Sequence, residues 1–180
     1  MFKLFDINVD SPSMNEKTYF LLIGPPCAGK TTFREKLSNK IIKENNWNVL
    51  TEISTDDEVE YLCHLHNLNY NQGWNRHIKQ ATEAMNKNLK IAFGDERCLV
   101  IIDDHTNLTS KRITKINEAK KHGYKVIGIF FKTPDNPKEY KNRLNSRTDK
   151  IIPWEIVQNM IITSIIPNIE EGYNKIFAGN

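Results

Sequence analysis

The sequence predicts an α/β fold, a parallel sheet of four to five strands with helices on both faces. Three observations predict it. Strand-like runs rich in apolar residues, of the kind needed by a buried sheet, recur at residues 18–23, 48–54, 98–102 and 124–131. Helix-forming stretches separate these runs, so strand and helix alternate along the chain. Glycines and carboxylates cluster just past the runs, at the carboxyl ends of strands where open parallel sheets bind ligands.

Taken in order, residues 1–17 mix apolar and polar types around Ser11-Pro12-Ser13 and are expected to be an N-terminal extension, with 18–180 forming one domain. The first strand, through Tyr19-Phe20-Leu21-Leu22-Ile23, leads into a helix over 32–43. The second leads into a helix over 56–67, with Thr55 or Asp56 as its cap. The Asn-rich stretch 67–73 reads as a turn. Trp74, Ile78, Ala81 and Met85 then fall at helical spacing and predict an amphipathic helix over 73–88. The third strand is followed by a helix over 109–122 that Gly123 stops. After the fourth come a charged helix over 137–147, with Pro137 at an early position, and a last helix over 154–166 opened by Pro153.

At 180 residues the chain suits one domain with a real core. Lys and Arg total 25 against 22 acids, a net charge of +3, which permits nucleotide or nucleic-acid binding without demanding it. Cys27, Cys63 and Cys98 are odd in number and lack paired spacing, so no disulfide framework is expected. No apolar run approaches membrane-spanning length and no signal-peptide core is seen. A cytoplasmic protein is therefore expected.

The most specific motif is Gly24-Pro25-Pro26-Cys27-Ala28-Gly29-Lys30-Thr31, followed by Thr32. Set between a strand and a helix, it is a phosphate-binding loop. Glycines permit the backbone angles that turn successive N–H groups toward phosphate oxygens, at the positive end of a helix. Lys30 places an ammonium on the terminal phosphates and Thr31 offers a hydroxyl to Mg²⁺. The implied ligands are ATP or GTP with Mg²⁺, and the implied fold is a P-loop NTPase-like three-layer sandwich with a helical lid. Cys27 is expected to contribute backbone rather than thiol chemistry.

Three further groups bear on what receives the phosphate. Asp56, in Ser54-Thr55-Asp56-Asp57, sits after the second strand and is either a base for an acceptor hydroxyl or a helix cap. Asp103-Asp104-His105-Thr106-Asn107 ends the third strand, where a carboxylate can hold Mg²⁺ or the segment can be an Asx-capped turn. Asp103 is taken as the metal candidate beside Thr31, and Asp104, Thr106 and Asn107 as acceptor ligands. Arg143 and Arg147 are four apart and are expected on one helix face, either over a bound triphosphate or simply in solvent.

Together these motifs resemble the phage-type 5′-hydroxyl polynucleotide kinases, within the small P-loop kinases. The resemblance runs from about residue 19 to residue 160. It implies that Asp56 is the aspartate that activates the 5′-hydroxyl, that Asp104-His105-Thr106-Asn107 is the D-x-T-N segment holding the acceptor, and that Arg143 and Arg147 are the paired lid arginines. Where the phage members carry an arginine three residues after the catalytic aspartate, contacting the acceptor's phosphate, this chain has Val59.

Three functions are therefore carried: a kinase for 5′-hydroxyl ends of DNA or RNA, a kinase for a small hydroxyl compound such as a nucleoside, sugar or antibiotic, and a nucleotide-binding module without transfer. The sequence assigns no oligomeric state. Cys63-His64-Leu65-His66 lacks a second ligand pair and reads as helix rather than metal site. Core packing is expected of Trp47, Trp74 and Trp154, with Trp74, beside Arg76 and His77, the candidate for base stacking.

Overall fold

Strand β1 (Thr18–Ile23) carries six buried residues in a row, and pleating sends them alternately to the two sides of the sheet. Tyr19, Leu21 and Ile23 join one core cluster, while Phe20 and Leu22 join another. A strand clothed on both faces belongs inside a sheet. The remaining strands are β2 (Leu50–Ile53), β3 (Val100–Asp103), β4 (Lys125–Phe131) and β5 (Lys175–Gly179). They pair in parallel in the order β2-β3-β1-β4-β5. This computed structural model describes residues 16–44, 50–148 and 150–179. The expected extension, apart from Glu16 and Lys17, lies outside the described residues, as do Trp47 and the first two residues of the expected second strand.

Helix α1 (Lys30–Glu44) covers the Phe20 face through Phe33, Leu37 and Ile41. Two later helices, α3 (Tyr70–Gly94) and α4 (Arg112–Lys121), cover the Tyr19 face through Met85, Leu89, Phe93, Ile116 and Ala119. The three-layer arrangement expected from the sequence is therefore present. Helix α2 (Thr55–His66) packs on α3 through Val59, Leu62, Cys63 and Ala81. Helices α5 (Pro137–Asn145) and α6 (Trp154–Ile162) form a separate small cluster around Tyr140, Leu144 and Val157, against which Cys27 packs.

Several boundaries differ from expectation, each for a physical reason. Ser54, not Thr55 or Asp56, caps α2, its hydroxyl accepting from the Asp57 N–H at 3.2 Å. That leaves the Asp56 side chain outside the capping interaction. The turn expected over 67–73 is shorter, because Asn69 and Gln72 form a reciprocal capping box that starts α3 at Tyr70. Asn67, in the left-handed conformation, ends α2. At its other end α3 runs past residue 88, since Leu89, Ala92 and Phe93 continue its buried stripe onto the sheet. Helix α5 stops at Asn145, so Arg147 lies beyond it and does not share a helix with Arg143.

The fifth strand was not placed from the sequence. It is brought beside β4 by Arg112, whose side chain is fully buried. The guanidinium pairs with Glu171 through two donors and gives a third to the carbonyls of Asn107 at 3.2 Å and Ile165 at 2.9 Å. That clamp folds the segment after α6 back over the sheet. Gly128 completes the fit, because a Cβ there would lie 2.9 Å from the Tyr173 ring. Among the described residues no helix is long and apolar enough to cross a membrane.

The α2–α3 contact depends on Gly73, where a Cβ would lie 2.0 Å from the Cys63 sulfur. Gly73→Ala is expected to destabilise the protein by about 1–3 kcal/mol through overpacking. In denaturant unfolding this appears as a lower midpoint at an unchanged slope. Adding Cys63→Ala should recover most of the loss; equal destabilisation with and without Cys63 would show that the cost does not come from the clash with its sulfur.

Candidate active site

Parallel register brings three loops to one edge of the sheet. Leu21 and Ile53 are both level with Asp103, so β2 and β3 end together and β1 runs two residues further. Main-chain bonds stitch the exits: Gly24 N–H donates to the Thr106 carbonyl at 3.0 Å, and Asp104 N–H to that of Ile53 at 2.8 Å. Gly24 is required here, because a Cβ would lie 2.8 Å from the Phe131 Cβ and 3.0 Å from its carbonyl oxygen. Gly29 adopts φ +98°, and Cys27 also takes a positive φ, of 57°. The first turn of α1 thus opens onto the loop with its unpaired N–H groups.

The Lys30 ammonium lies over this loop and donates to the carbonyls of Gly24 and Pro25, each at 3.0 Å. Burial pulls its pKa below the ordinary lysine range, and the charges of Asp104 and Asp56 oppose that pull without cancelling it. An ammonium short of compensation beside a ring of N–H groups suits an anionic ligand of high charge.

Thr31 Oγ1 donates to Asp104 Oδ2 at 3.1 Å. Burial lifts the Asp104 carboxyl above the usual range despite Lys30, Arg34 and the Thr31 hydrogen bond. A divalent cation would compensate such a carboxylate, so Thr31 and Asp104 fit Mg²⁺. Asp103, expected at the metal, is placed elsewhere. Its side chain is fully buried, with Oδ2 accepting from Tyr19 at 2.6 Å and Lys115 at 2.7 Å, and Oδ1 from His105 N–H and Asn107 at 3.2 Å each. The alternation of β3 turns Asp103 into the core, and the next residue faces the loop.

Asn107, expected to hold an acceptor, is also buried. Its amide donates to the Leu22 carbonyl at 2.9 Å and its oxygen accepts from Lys115 at 3.1 Å, so it ties the loop to β1. Thr106 contributes its main-chain carbonyl to the same stitching. Val59 is fully buried between α2 and α3.

Asp56 lies where the sequence placed it, at the start of α2. Oδ1 accepts from the Tyr70 hydroxyl at 2.8 Å and Oδ2 from Lys150 Nζ at 3.3 Å. Lys150 is largely buried and also pairs with Glu60. Burial acts to raise the Asp56 carboxyl, but the charge of Lys150, the hydrogen bonds from Tyr70 and Lys150, and the charge of Lys30 outweigh it. The group is held ionised, below the ordinary carboxylate range. The neighbouring Asp57 instead forks onto Arg34, at 2.7 and 3.3 Å.

Of the two arginines, Arg147 reaches the phosphate loop, its Nη1 3.6 Å from the Cys27 sulfur. Arg143 pairs with Glu139 one turn back on α5, at 3.0 Å. Tyr70, Lys150, Arg34 and His105, whose Nδ1 is 3.2 Å from Thr55 Oγ1, were not found from the sequence. Tyr70, Lys150 and Arg34 belong to no local motif, and His105 is the variable position of the D-x-T-N segment. The nearest thing to a signal was the aromatic and basic character of the first turns of α3.

A family model described as an AAA domain matches residues 20–160. No curated protein matches the chain. Among solved structures, a putative kinase from Chloroflexus aurantiacus superposes with a TM-score of 0.64 at 14% identity, over 92% of this chain and 86% of that one. A structure from the PezAT chromosomal toxin-antitoxin system of Streptococcus pneumoniae gives 0.63 at 15% identity, over 93% and 69%. A chain of the Pnkp1/Rnl/Hen1 complex gives 0.50 at 16% identity, over 81% and 44%. At these identities the likeness is one of fold. The family match, covering most of the chain, makes it a member of the AAA domain family, with the sheet of a P-loop kinase.

Proposed function

We propose that this chain transfers the γ-phosphoryl group of ATP to the 5′-hydroxyl end of DNA or RNA, with Asp56 as the base. The observation that carries this reading is the state of Asp56. It is ionised, within electrostatic reach of Lys30, and its side chain is 49% exposed. An open carboxylate admits a hydroxyl at the end of a polymer that runs on into solvent, whereas a small acceptor calls for an enclosing pocket.

In this reading the loop N–H groups and Lys30 hold the β- and γ-phosphates. Thr31 and Asp104 would hold Mg²⁺. The ion, when bound, supplies charge neutralisation at the phosphate oxygens. Asp56 orients the acceptor hydroxyl and takes its proton as the oxygen bonds to the γ-phosphorus. The bond to the β–γ bridging oxygen breaks, ADP departs, and the proton passes from Asp56 to solvent. Arg147 adds fixed positive charge at the loop, while Arg143 stays in the last turn of α5, paired with Glu139. The same cradle would accept the phosphates of GTP.

A second reading, phosphorylation of a small hydroxyl compound, is favoured by Val59, which stands buried where the resemblance places an arginine on the acceptor's phosphate. An acceptor screen with labelled ATP separates the two. The polynucleotide reading predicts label on 5′-hydroxyl oligonucleotides and none on 5′-phosphorylated ones; label confined to nucleosides, sugars or antibiotics would replace it with the second reading.

Asp56→Ala should lower kcat/KM about 10²–10⁴-fold while the triphosphate still binds. Surviving turnover would reduce Asp56 to a structural role. The pH dependence has a definite sign. Because Asp56 acts ionised and its pKa is depressed, activity should persist as pH falls through the ordinary carboxylate range. Lys150→Met removes the main depressing charge, so the acid limb of kcat/KM should move to higher pH. A limb that stays in place would show that it does not report Asp56.

A further inference from the structure

The acceptor side of α3 carries a feature that the mechanism above does not use. The rings of Tyr70 and Trp74, one helical turn apart, lie with centroids at 5.9 Å and planes inclined by 33°. Tyr70 is anchored through its hydroxyl to Asp56, whereas Trp74 is 38% exposed. Of the tryptophans expected to pack in the core, Trp154 is partly buried against Tyr140, but Trp74 leaves part of its indole at the surface next to Tyr70, the residue that bonds Asp56. An indole partly open to solvent has an apolar face to offer a stacking ligand.

Lys150 borders the same place. Its ammonium stands 4.6 Å from the centre of the Tyr70 ring and bonds both Asp56 and Glu60, one cation serving two carboxylates. The segment that carries it is fixed to α3 by a hydrogen bond from Ile151 N–H to the Asn71 side chain, at 3.2 Å. Meanwhile α2 offers the buried Val59 where the resembled family carries an arginine on the acceptor's phosphate. The positive charge next to Asp56 therefore comes from the α5–α6 connection rather than from α2.

Resting on the polynucleotide reading, we propose that Trp74, Tyr70 and Lys150 form the acceptor subsite. The base of the 5′-terminal nucleotide stacks on Trp74, with Tyr70 as the inner wall that sets its distance from Asp56. Lys150 takes the phosphate on the 3′ side of that nucleotide. Stacking tolerates any base, because every base has a π-face, so the subsite selects for a polynucleotide end rather than for a sequence.

The test is steady-state phosphorylation of a short 5′-hydroxyl oligonucleotide by the full chain, with folding of each variant checked by circular dichroism. Trp74→Ala should raise the oligonucleotide KM about 5- to 150-fold, the worth of one stacked base, with far less change in kcat. Trp74→Phe should restore most of the loss. Lys150→Met should flatten the dependence of log(kcat/KM) on log salt by about 0.7, the share of one single-strand phosphate contact. If the wild-type chain phosphorylates the oligonucleotide but Trp74→Ala leaves its KM unchanged and Lys150→Met leaves the salt slope unchanged, the subsite is overturned while the parent reading stands. If the wild-type chain labels only small hydroxyl compounds, both fall together.

Discussion

The candidate site rests on a carboxylate that faces the core rather than the phosphate loop. Asp103 ends β3 with its side chain wholly inside the protein, and a buried charge must be paired on every side. Burial acts to raise its pKa; the Lys115 charge and the hydrogen bonds from Lys115 and Tyr19 more than reverse that. Tyr19 belongs to β1, Lys115 to α4, and the remaining donors, Asn107 and the His105 N–H, to the loop that follows Asp103. One buried anion thus fixes a strand, a helix and a loop to one another. With that loop fixed, Asp104 has a single place to go, against Thr31 at the mouth of the phosphate loop.

The same economy of charge organises the open side of the site. Lys30 donates to its own loop carbonyls, Arg34 is shared among Asp57, Glu52 and Asp104, and Lys150 spans Asp56 and Glu60. Acids and bases are interleaved so that each holds another in position. Pre-organised charge of this sort suits phosphoryl transfer, in which positioning and electrostatic stabilisation do most of the catalytic work. The opposite shifts of two nearby acids fit that arrangement: Asp56 is kept ionised by cations, while Asp104, lifted by burial, is the one that would gain from a metal ion.

How much of this was legible in the sequence follows from how local each signal is. The phosphate loop was fully legible, because backbone angles, glycine positions and the lysine all lie within one short stretch. Four strands were legible from their apolar runs, and Asp56 from its place at a strand's carboxyl end. The choice between Asp103 and Asp104 was not, since two adjacent acids at the end of β3 differ only in which side of the sheet each faces. Tyr70 and Lys150 reach Asp56 across 14 and 94 residues of chain, and such contacts leave no mark in local pattern. Strand β5 escaped because it owes its position to Arg112, far away in sequence. Arg147 was placed on the wrong side of a helix end, because Asn145 and Ser146 terminate α5 without a glycine or proline to announce it.

The central claim is that the phosphate loop and the Asp56 carboxylate address one reacting hydroxyl. A crystal structure of the chain with Mg²⁺, a non-hydrolysable ATP analogue and a 5′-hydroxyl oligonucleotide measures this directly. The account predicts the terminal hydroxyl within about 2.6–3.2 Å of an Asp56 oxygen and pointing at the γ-phosphorus. A hydroxyl bound out of reach of Asp56, with the triphosphate seated in the loop, would contradict it.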